Sequence, residues 1–200
     1  RMKVISFEGF EYSGKSTQIK LLKKYFIKNN IKSTFTREPG GNKDLEKIRN
    51  VILKSNFDNL SLIMFFFASR FALLSSIKKN DFIVFDRFFD STYAYQKYNS
   101  KEKKLIISLI KLIDKKFIPK ITFYLKLDKK NLIRRKDKRL YSNKFDNKYF
   151  GQFSRIQKNY EEISKIKIGE RKFVAIDASL SANEVHDKII LNLKKCKLIK

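Results

Sequence analysis

The spacing of apolar positions changes repeatedly along the chain, alternating between the continuous runs of buried strands and the three- and four-residue recurrence of helices. Residues 2 to 8 (MKVISFE) read as a short strand ending at Gly9, and Ile19, Leu21, Leu22, Tyr25 and Phe26 then mark a helix from Lys15 to Asn29. A second strand, Lys32 to Thr36, closes in Arg37-Glu38-Pro39-Gly40-Gly41. Helices are expected over 43 to 54 and from Asp58 to Lys78, the second so apolar (LSLIMFFFASRFALL) that most of its circumference requires cover, in the core or at a subunit interface. A third strand, Phe82 to Phe85, leads into Asp86-Arg87, with helices at about 90 to 98 and 101 to 115. A fourth strand (Ile121 to Leu127), a basic helix and loop (129 to 148), a long helix to about 167, a fifth strand (Lys172 to Ile176) and an amphipathic helix from Ser181 complete the pattern. Alternating strand and helix of this kind predicts an α/β fold, a parallel sheet covered on both faces. No linker, repeat or low-complexity segment interrupts it, so residues 1 to 200 are expected to form one domain.

Composition adds a charge question. The chain holds 46 basic and 20 acidic side chains, a formal net charge of +26, which points toward a polyanionic partner. The excess is spread along both halves and only enriched in the second, so it marks a composition more than one binding face. Gly (6) and Pro (2) are scarce, and only ten of the basic residues are Arg. Each of those residues is therefore informative, and a loop holding both Pro39 and two glycines is held for a reason. Cys196 is the only cysteine, which excludes an intramolecular disulfide and cysteine-based metal clusters. No run of about 18 uncharged apolar residues occurs and the N-terminus enters a strand directly, so a cytoplasmic protein without membrane contact is expected.

The segment Gly9-Phe10-Glu11-Tyr12-Ser13-Gly14-Lys15-Ser16 satisfies the pattern GxxxxGK[ST] between a predicted strand and a predicted helix, the context a phosphate-binding loop requires. Glycines let consecutive backbone N–H groups face a phosphate at a helix N-terminus. Lys15 would reach the β- and γ-phosphates, and the Ser16 hydroxyl would ligate Mg2+. An incidental glycine-rich turn is the competing reading, disfavoured by that context.

Three ordered blocks resemble the thymidylate (dTMP) kinases, of the bacterial type. They are Phe7 to Gln18, Thr36-Arg37-Glu38-Pro39-Gly40-Gly41, and Asp86-Arg87-Phe88-Phe89-Asp90-Ser91-Thr92-Tyr93-Ala94-Tyr95-Gln96. Weaker matches at Glu46 to Arg49, Phe66 and Arg70, Phe123 to Leu125, and Ile176 to Ser179 extend the likeness over essentially the whole chain. The resemblance implies a three-layer α/β/α P-loop fold of the nucleoside monophosphate kinase type, with a five-stranded parallel sheet and a small lid at about 136 to 148. It implies transfer of the γ-phosphoryl of ATP to dTMP, with Mg2+, by a homodimer whose contact surface the apolar helix could supply.

By the same resemblance Gly9, Tyr12, Ser13, Gly14, Lys15, Ser16 and Thr17 meet ATP, and the backbone of Ile176 to Ser179 lies beside adenine. Arg37 and Arg87 hold the dTMP phosphate, where a guanidinium fork matches phosphate oxygens better than an ammonium does. Asp86, at a strand's carboxyl end, joins Ser16 as a metal-site residue. Phe66 stacks on thymine, Arg70 meets its O4, Thr92 and Gln96 add base contacts, Pro39 belongs to the same site, and Glu11 lies near the sugar 3′-hydroxyl. Phe66 and Arg70 are spaced i, i+4 and so share a helix face. Against this, an aromatic flanked by Phe65 and Phe67 is commonly core, whereas a lone cation in such a run needs a partner.

Residues 126 to 144 hold nine basic and two acidic side chains. A nucleic-acid patch is one reading. In the resembled family the segment is the lid, and Tyr12 in place of an Arg in the loop agrees with the type whose catalytic arginines sit there. The match puts Arg135 and Arg139 on lid arginines, beside Lys15, Asp86 and Arg87 as the catalytic set, with Arg155 on the following helix. Asn143-Lys144-Phe145-Asp146 and Lys126 depart from the family pattern. His186 and Cys196 acquire no role. The competing functions are another nucleotide or nucleoside kinase on the same scaffold, and a non-catalytic nucleic-acid binder, for which the constellation of Lys15, Ser16, Arg37, Asp86 and Arg87 is superfluous.

Overall fold

The computed structural model describes residues 2–78, 80–137 and 149–200. Five strands, β1 (Lys3–Glu8), β2 (Ser33–Arg37), β3 (Phe82–Asp86), β4 (Ile121–Lys126) and β5 (Lys172–Asp177), form one sheet in the order β2-β3-β1-β4-β5. All four pairings are parallel. The helices among the described residues are α1 (Lys15–Lys28), α2 (Lys43–Lys54), α3 (Asn59–Ser76), α4 (Phe89–Gln96), α5 (Ser100–Lys111), α6 (Lys129–Asp137), α7 (Phe153–Ser164) and α8 (Ala182–Lys195).

Strand alternation explains the layers. Ile5, Phe7, Phe82 and Val84 point to one face of the sheet, where Leu22 and Phe26 of α1 and Val185, Ile189 and Leu193 of α8 cover them. Val4, Ile83 and Phe85 point to the other, under Phe67 and Leu73 of α3, Tyr93 of α4 and Ile106 of α5. The predicted fold class is therefore the observed one.

Two expectations shift. The helix expected through residue 115 stops at Lys111, because the Asp114 carboxylate accepts the Lys116 N–H (2.9 Å) and starts a separate 3-10 turn at Lys115–Phe117. The apolar helix α3 buries Phe66, Phe67 and Arg70, yet Leu60, Met64 and Phe65 remain 56%, 50% and 38% exposed, so its circumference is not covered within one chain. By length and a mean hydropathy of 1.4 this helix could cross a membrane, but its buried side carries Arg70 into the site described below.

Register places the chemistry. Arg37 pairs with Asp86 at the carboxyl ends of β2 and β3, and Asp86 pairs with Phe7, one residue before Glu8 at the end of β1. The loops after these three strands thus open on the same edge, where parallel α/β sheets bind ligands.

Candidate active site

The loop after β1 is shaped by its backbone. Gly9 has φ 146, and a Cβ there would lie 2.7 Å from the Leu125 carbonyl oxygen, so only glycine fits between β1 and β4. Helix α1 starts at Gly14 (φ 89) with no side-chain cap, whereas Asn42, Asp58, Asn99 and Ser181 cap α2, α3, α5 and α8. Its first N–H groups are left for an anion, reinforced by the helix dipole. Tyr12 sits in the left-handed region (φ 64) without being glycine, as does Arg87 (φ 66) after β3. Such backbone costs about 1–3 kcal/mol per residue and clusters where function needs a fixed side chain.

The Lys15 ammonium is buried and donates to the carbonyls of Gly9 and Phe10, both at 3.0 Å. Burial, and then the charge of Arg87, push it below its usual value. Arg87 donates to Gly9 O (3.1 Å) and Ser91 Oγ (3.0 Å), and pairs with the Glu11 carboxylate. Burial disfavours its charge, but Tyr95, Glu11 and other neighbours raise it well above the usual value, so it stays a cation. Arg37 forms a two-pronged pair with Glu46, at 3.0 and 2.7 Å. Gly40, at φ 121, makes room: a Cβ there would meet the Glu46 carboxylate at 2.3 Å.

These groups border two hollows. The inner one, about 650 Å³, is lined by Pro39, Phe66, Arg70, Thr92, Tyr95 and Gln96, among others. The outer one, about 1430 Å³, runs along the phosphate loop past Ser16, Asp86 and Arg135 to Ala178 and Val185. Glu11, Glu38, Arg49 and Arg87 line both, forming a shared wall with two cations in it. A larger polar cleft and a smaller half-apolar one, meeting at arginines, suit two phosphorylated molecules held end to end.

The inner hollow is built from buried polar pairs. Arg70, 2% exposed, donates to Glu38 (2.6 Å) and to Thr92 Oγ1 (3.0 Å), and stacks on Phe67 and Phe88. Among the described residues its Nη1 and the second Glu38 oxygen are buried without partners, so both keep unused hydrogen-bonding capacity. Burial lifts the Glu38 carboxyl to about 7 despite the pull of Arg70. Phe66, 9% exposed, packs on Ile52 and Leu62 and lines the hollow.

Residues 7–189 match the family model for thymidylate kinase. The chain belongs to the thymidylate kinase family. It is 36% identical over 204 residues to a thymidylate kinase of Wolbachia pipientis subsp. Culex pipiens, covering 96% of both chains. A thymidylate kinase of Chlorobium limicola is 35% identical over 213 residues, covering 96% of this chain and 94% of that one. The crystal structure of thymidylate kinase from Ehrlichia chaffeensis superposes with a TM-score of 0.72 at 31% identity, covering 96% of this chain and 98% of that one.

The residues singled out by the thymidylate kinase resemblance fall into the two hollows. Glu11, Pro39, Phe66, Arg70, Arg87, Thr92 and Gln96 line the inner one. Tyr12, Ser13, Gly14, Lys15, Ser16, Thr17, Arg37, Asp86 and Arg135 line the outer one. Gly9 contributes its carbonyl beneath both Lys15 and Arg87. Arg135 ties the loop down, donating to Tyr12 O (3.0 Å) and to the Ala178 carbonyl. Arg155, matched to a family arginine, instead donates to the carbonyls of Lys97 (2.9 Å) and Tyr95 (3.0 Å), bracing the end of α4. Arg139, Asn143, Lys144, Phe145 and Asp146 lie outside the described residues, with most of the expected lid.

Three further residues join the site. Arg49, quoted as a match but given no role, lines both hollows and donates to Pro39 O at 2.7 Å. Glu38 is the buried partner of Arg70. Glu8 is wholly buried behind the shared wall, accepting from Phe88 N (2.7 Å), Ser91 Oγ (2.5 Å) and Tyr160 OH (3.2 Å). Their one available signal was residue type, an arginine among ten and two carboxylates beside rare turn residues. For a metal, the donors are sparse: among the described residues no cluster of three His, Cys, Asp or Glu exists. The Ser16 hydroxyl and the Asp86 carboxylate line one cleft, a set that fits Mg2+, which is held largely by substrate phosphates and water.

Proposed function

We propose that this chain transfers the γ-phosphoryl group of ATP to dTMP, giving ADP and dTDP. The observation that carries this reading is the wall of Arg87, Arg49, Glu11 and Glu38 common to both hollows. ATP lies along the outer cleft, its phosphates on the uncapped start of α1 and its adenine among Ala178, Leu180 and Val185. The dTMP base lies in the inner hollow, stacked on Phe66, with thymine O4 on the unpaired Nη1 of Arg70. Its 5′-phosphate points at Arg87 and Arg49, with Arg37 within the same cleft, so the accepting oxygen faces the γ-phosphorus. A P–O bond forms there as the β–γ bridge breaks, and the charge passes to ADP.

Before substrate arrives the cations rest on internal substitutes: Lys15 on two carbonyls, Arg87 on Glu11, Arg37 on Glu46. Phosphate oxygens replace these partners, and Glu11, released, meets the sugar 3′-hydroxyl. Ser16, and Asp86 through water, would hold Mg2+, which would supply neutralisation of phosphate charge there. Arg135, and with it Arg139, supply cations from the lid side. The exposed stripe of Leu60, Met64 and Phe65 on α3 supports a homodimer; sedimentation of Met64→Glu is expected to give monomers where the wild type gives dimers.

Release of ADP, followed with dTMP, dUMP, dCMP and dGMP as acceptors, tests the reading. Turnover is expected with dTMP first. Absence of turnover with dTMP and Mg2+-ATP removes the assignment.

A further inference from the structure

Helix α4 is too short to hold itself. It has 8 residues, Phe89–Gln96, where an isolated helix needs about 12–15 to be even marginal in water. Its sequence, FDSTYAYQ, adds few strong helix formers, and it ends at Lys97 in extended backbone with no glycine cap. Yet Ser91, Thr92, Tyr95 and Gln96 on it, with Phe88 just before it, supply much of the wall of the inner hollow. The position of that wall therefore comes from outside the helix.

The last turn of a helix leaves its carbonyls without internal donors. At the end of α4 each of them is met, and most of the donors come from α7. The Lys97 N–H returns to Tyr93 O at 3.1 Å. Asn159 Nδ2 donates to Ala94 O (3.0 Å) and to Lys97 O (2.8 Å). Arg155 donates to Tyr95 O through Nη2 (3.0 Å) and to Lys97 O through Nη1 (2.9 Å), while Asn59 Nδ2 reaches Gln96 O at 2.7 Å. Arg155 is the cation among these side-chain donors, and a cation is favoured at a helix C-terminus. Its guanidinium lies over the Tyr98 ring at 3.8 Å and its Nη2 also donates to Gln152 Oε1 (2.5 Å), so the fork is itself held in place.

We propose that Arg155 is a positioning residue for the acceptor site, which pins the last turn of α4 so that dTMP meets a hollow already ordered. The inference rests on the dTMP reading of the site but concerns a residue that lines neither hollow. Without the fork the last turn frays in the free enzyme, and only the fraction with α4 formed binds the acceptor. Apparent affinity falls by that fraction, while the bound complex, and so turnover at saturation, stays the same.

The test compares wild type with Arg155→Met, which keeps the bulk of the stem but no donor. The KM for dTMP is expected to rise about tenfold, the scale of one hydrogen bond from a charged donor, with kcat and the KM for ATP unchanged. Arg155→Lys, which keeps the charge without the fork, falls between. Amide hydrogen exchange from Ala94 to Lys97 reads the same event without turnover: it is faster in free Arg155→Met than in free wild type, and equal in the two once dTMP saturates them. A merely structural loss lowers the melting temperature without singling out the KM for dTMP. An unmoved KM for dTMP, a fall in kcat instead, or a matching rise in the KM for ATP overturns the proposal. Should Arg155→Met not fold, Arg155→Lys decides by the same comparison. Wild-type enzyme idle with dTMP would remove the underlying reading; an active wild type whose KM and exchange are shared by the variant removes this inference alone.

Discussion

The inner hollow and the outer cleft meet at Arg87 but are built on opposite principles. Inside, the polar groups are buried and already partnered with one another: Arg70 with Glu38 and Thr92, Gln96 with Tyr149. Among the described residues only single atoms, such as Arg70 Nη1, are left without a partner. Outside, the lining is backbone and cations paired with carbonyls and carboxylates, partners that phosphate replaces on the proposed reading. The difference follows from what each half must do. A neutral base is distinguished by the direction of its donors and acceptors, which demands groups that do not rotate. A phosphoryl group in transit is stabilised by charge, and charge acts over distance while its carriers exchange partners.

Removing the guanidinium at the junction strikes both halves. Arg87→Ala is expected to lower kcat/KM for dTMP by about a thousandfold or more, the range seen when an arginine that stabilises phosphoryl transfer is lost. Arg87→Lys should recover little, since the guanidinium bridges the Gly9 carbonyl and Ser91 through Nη1 and Glu11 through Nη2. Steady-state kinetics with both substrates varied checks this. A variant within tenfold of wild type would mean that the outer cleft's charge comes from elsewhere.

Inside the hollow the loss should be smaller and of another kind. Arg70→Met keeps much of the stem's bulk against Phe67 and Phe88 but leaves Glu38 and the base without their donor. We expect about a hundredfold loss in kcat/KM for dTMP, carried by KM, with the KM for ATP unchanged. If kcat fell instead, the division between a fixed base site and an adjustable phosphate site would not hold.

The two halves also differed in how far they could be read from sequence. The phosphate loop of the outer cleft is local: one strand, six loop residues and a helix start specify its geometry, so Gly9, Gly14, Lys15 and Ser16 announced themselves. Arg37 and Arg87 stood out as arginines in a lysine-rich chain. The pattern of strand runs gave the layers because alternation within β1 and β3 splits cleanly between the two faces. What the spacing could not give are pairings made across the fold. Arg70 clearly needed a partner, but Glu38 lies 32 residues away, and nothing in sequence joins Gln96 to Tyr149. Likewise Asp114, whose side chain ends α5 early, looks in sequence like one more polar residue on a helix.

Glu8 offers the finest test, because it belongs to the rigid scaffold on which the adjustable half is mounted. It joins the end of β1 to the start of α4 through Phe88 N, Ser91 and Tyr160, directly behind Arg87. Burial, reinforced by the nearby Asp90 carboxylate, lifts it to about 8 from 4.5, against the hydrogen bond from Ser91 and the pull of Arg87. A carboxyl whose folded value lies above its unfolded one is bound to its proton more tightly in the native state. Its contribution to stability is therefore complete below about pH 4.5 and is lost as pH rises toward 8. In Glu8→Gln that titration is absent. The unfolding free energy of the wild type relative to Glu8→Gln should fall between pH 5 and pH 8, by more than about 1 kcal/mol. Urea denaturation of both proteins across this range measures it. Parallel curves would mean that Glu8 is already ionised in the fold, and that the wall behind Arg87 yields to charge as readily as the cleft in front of it.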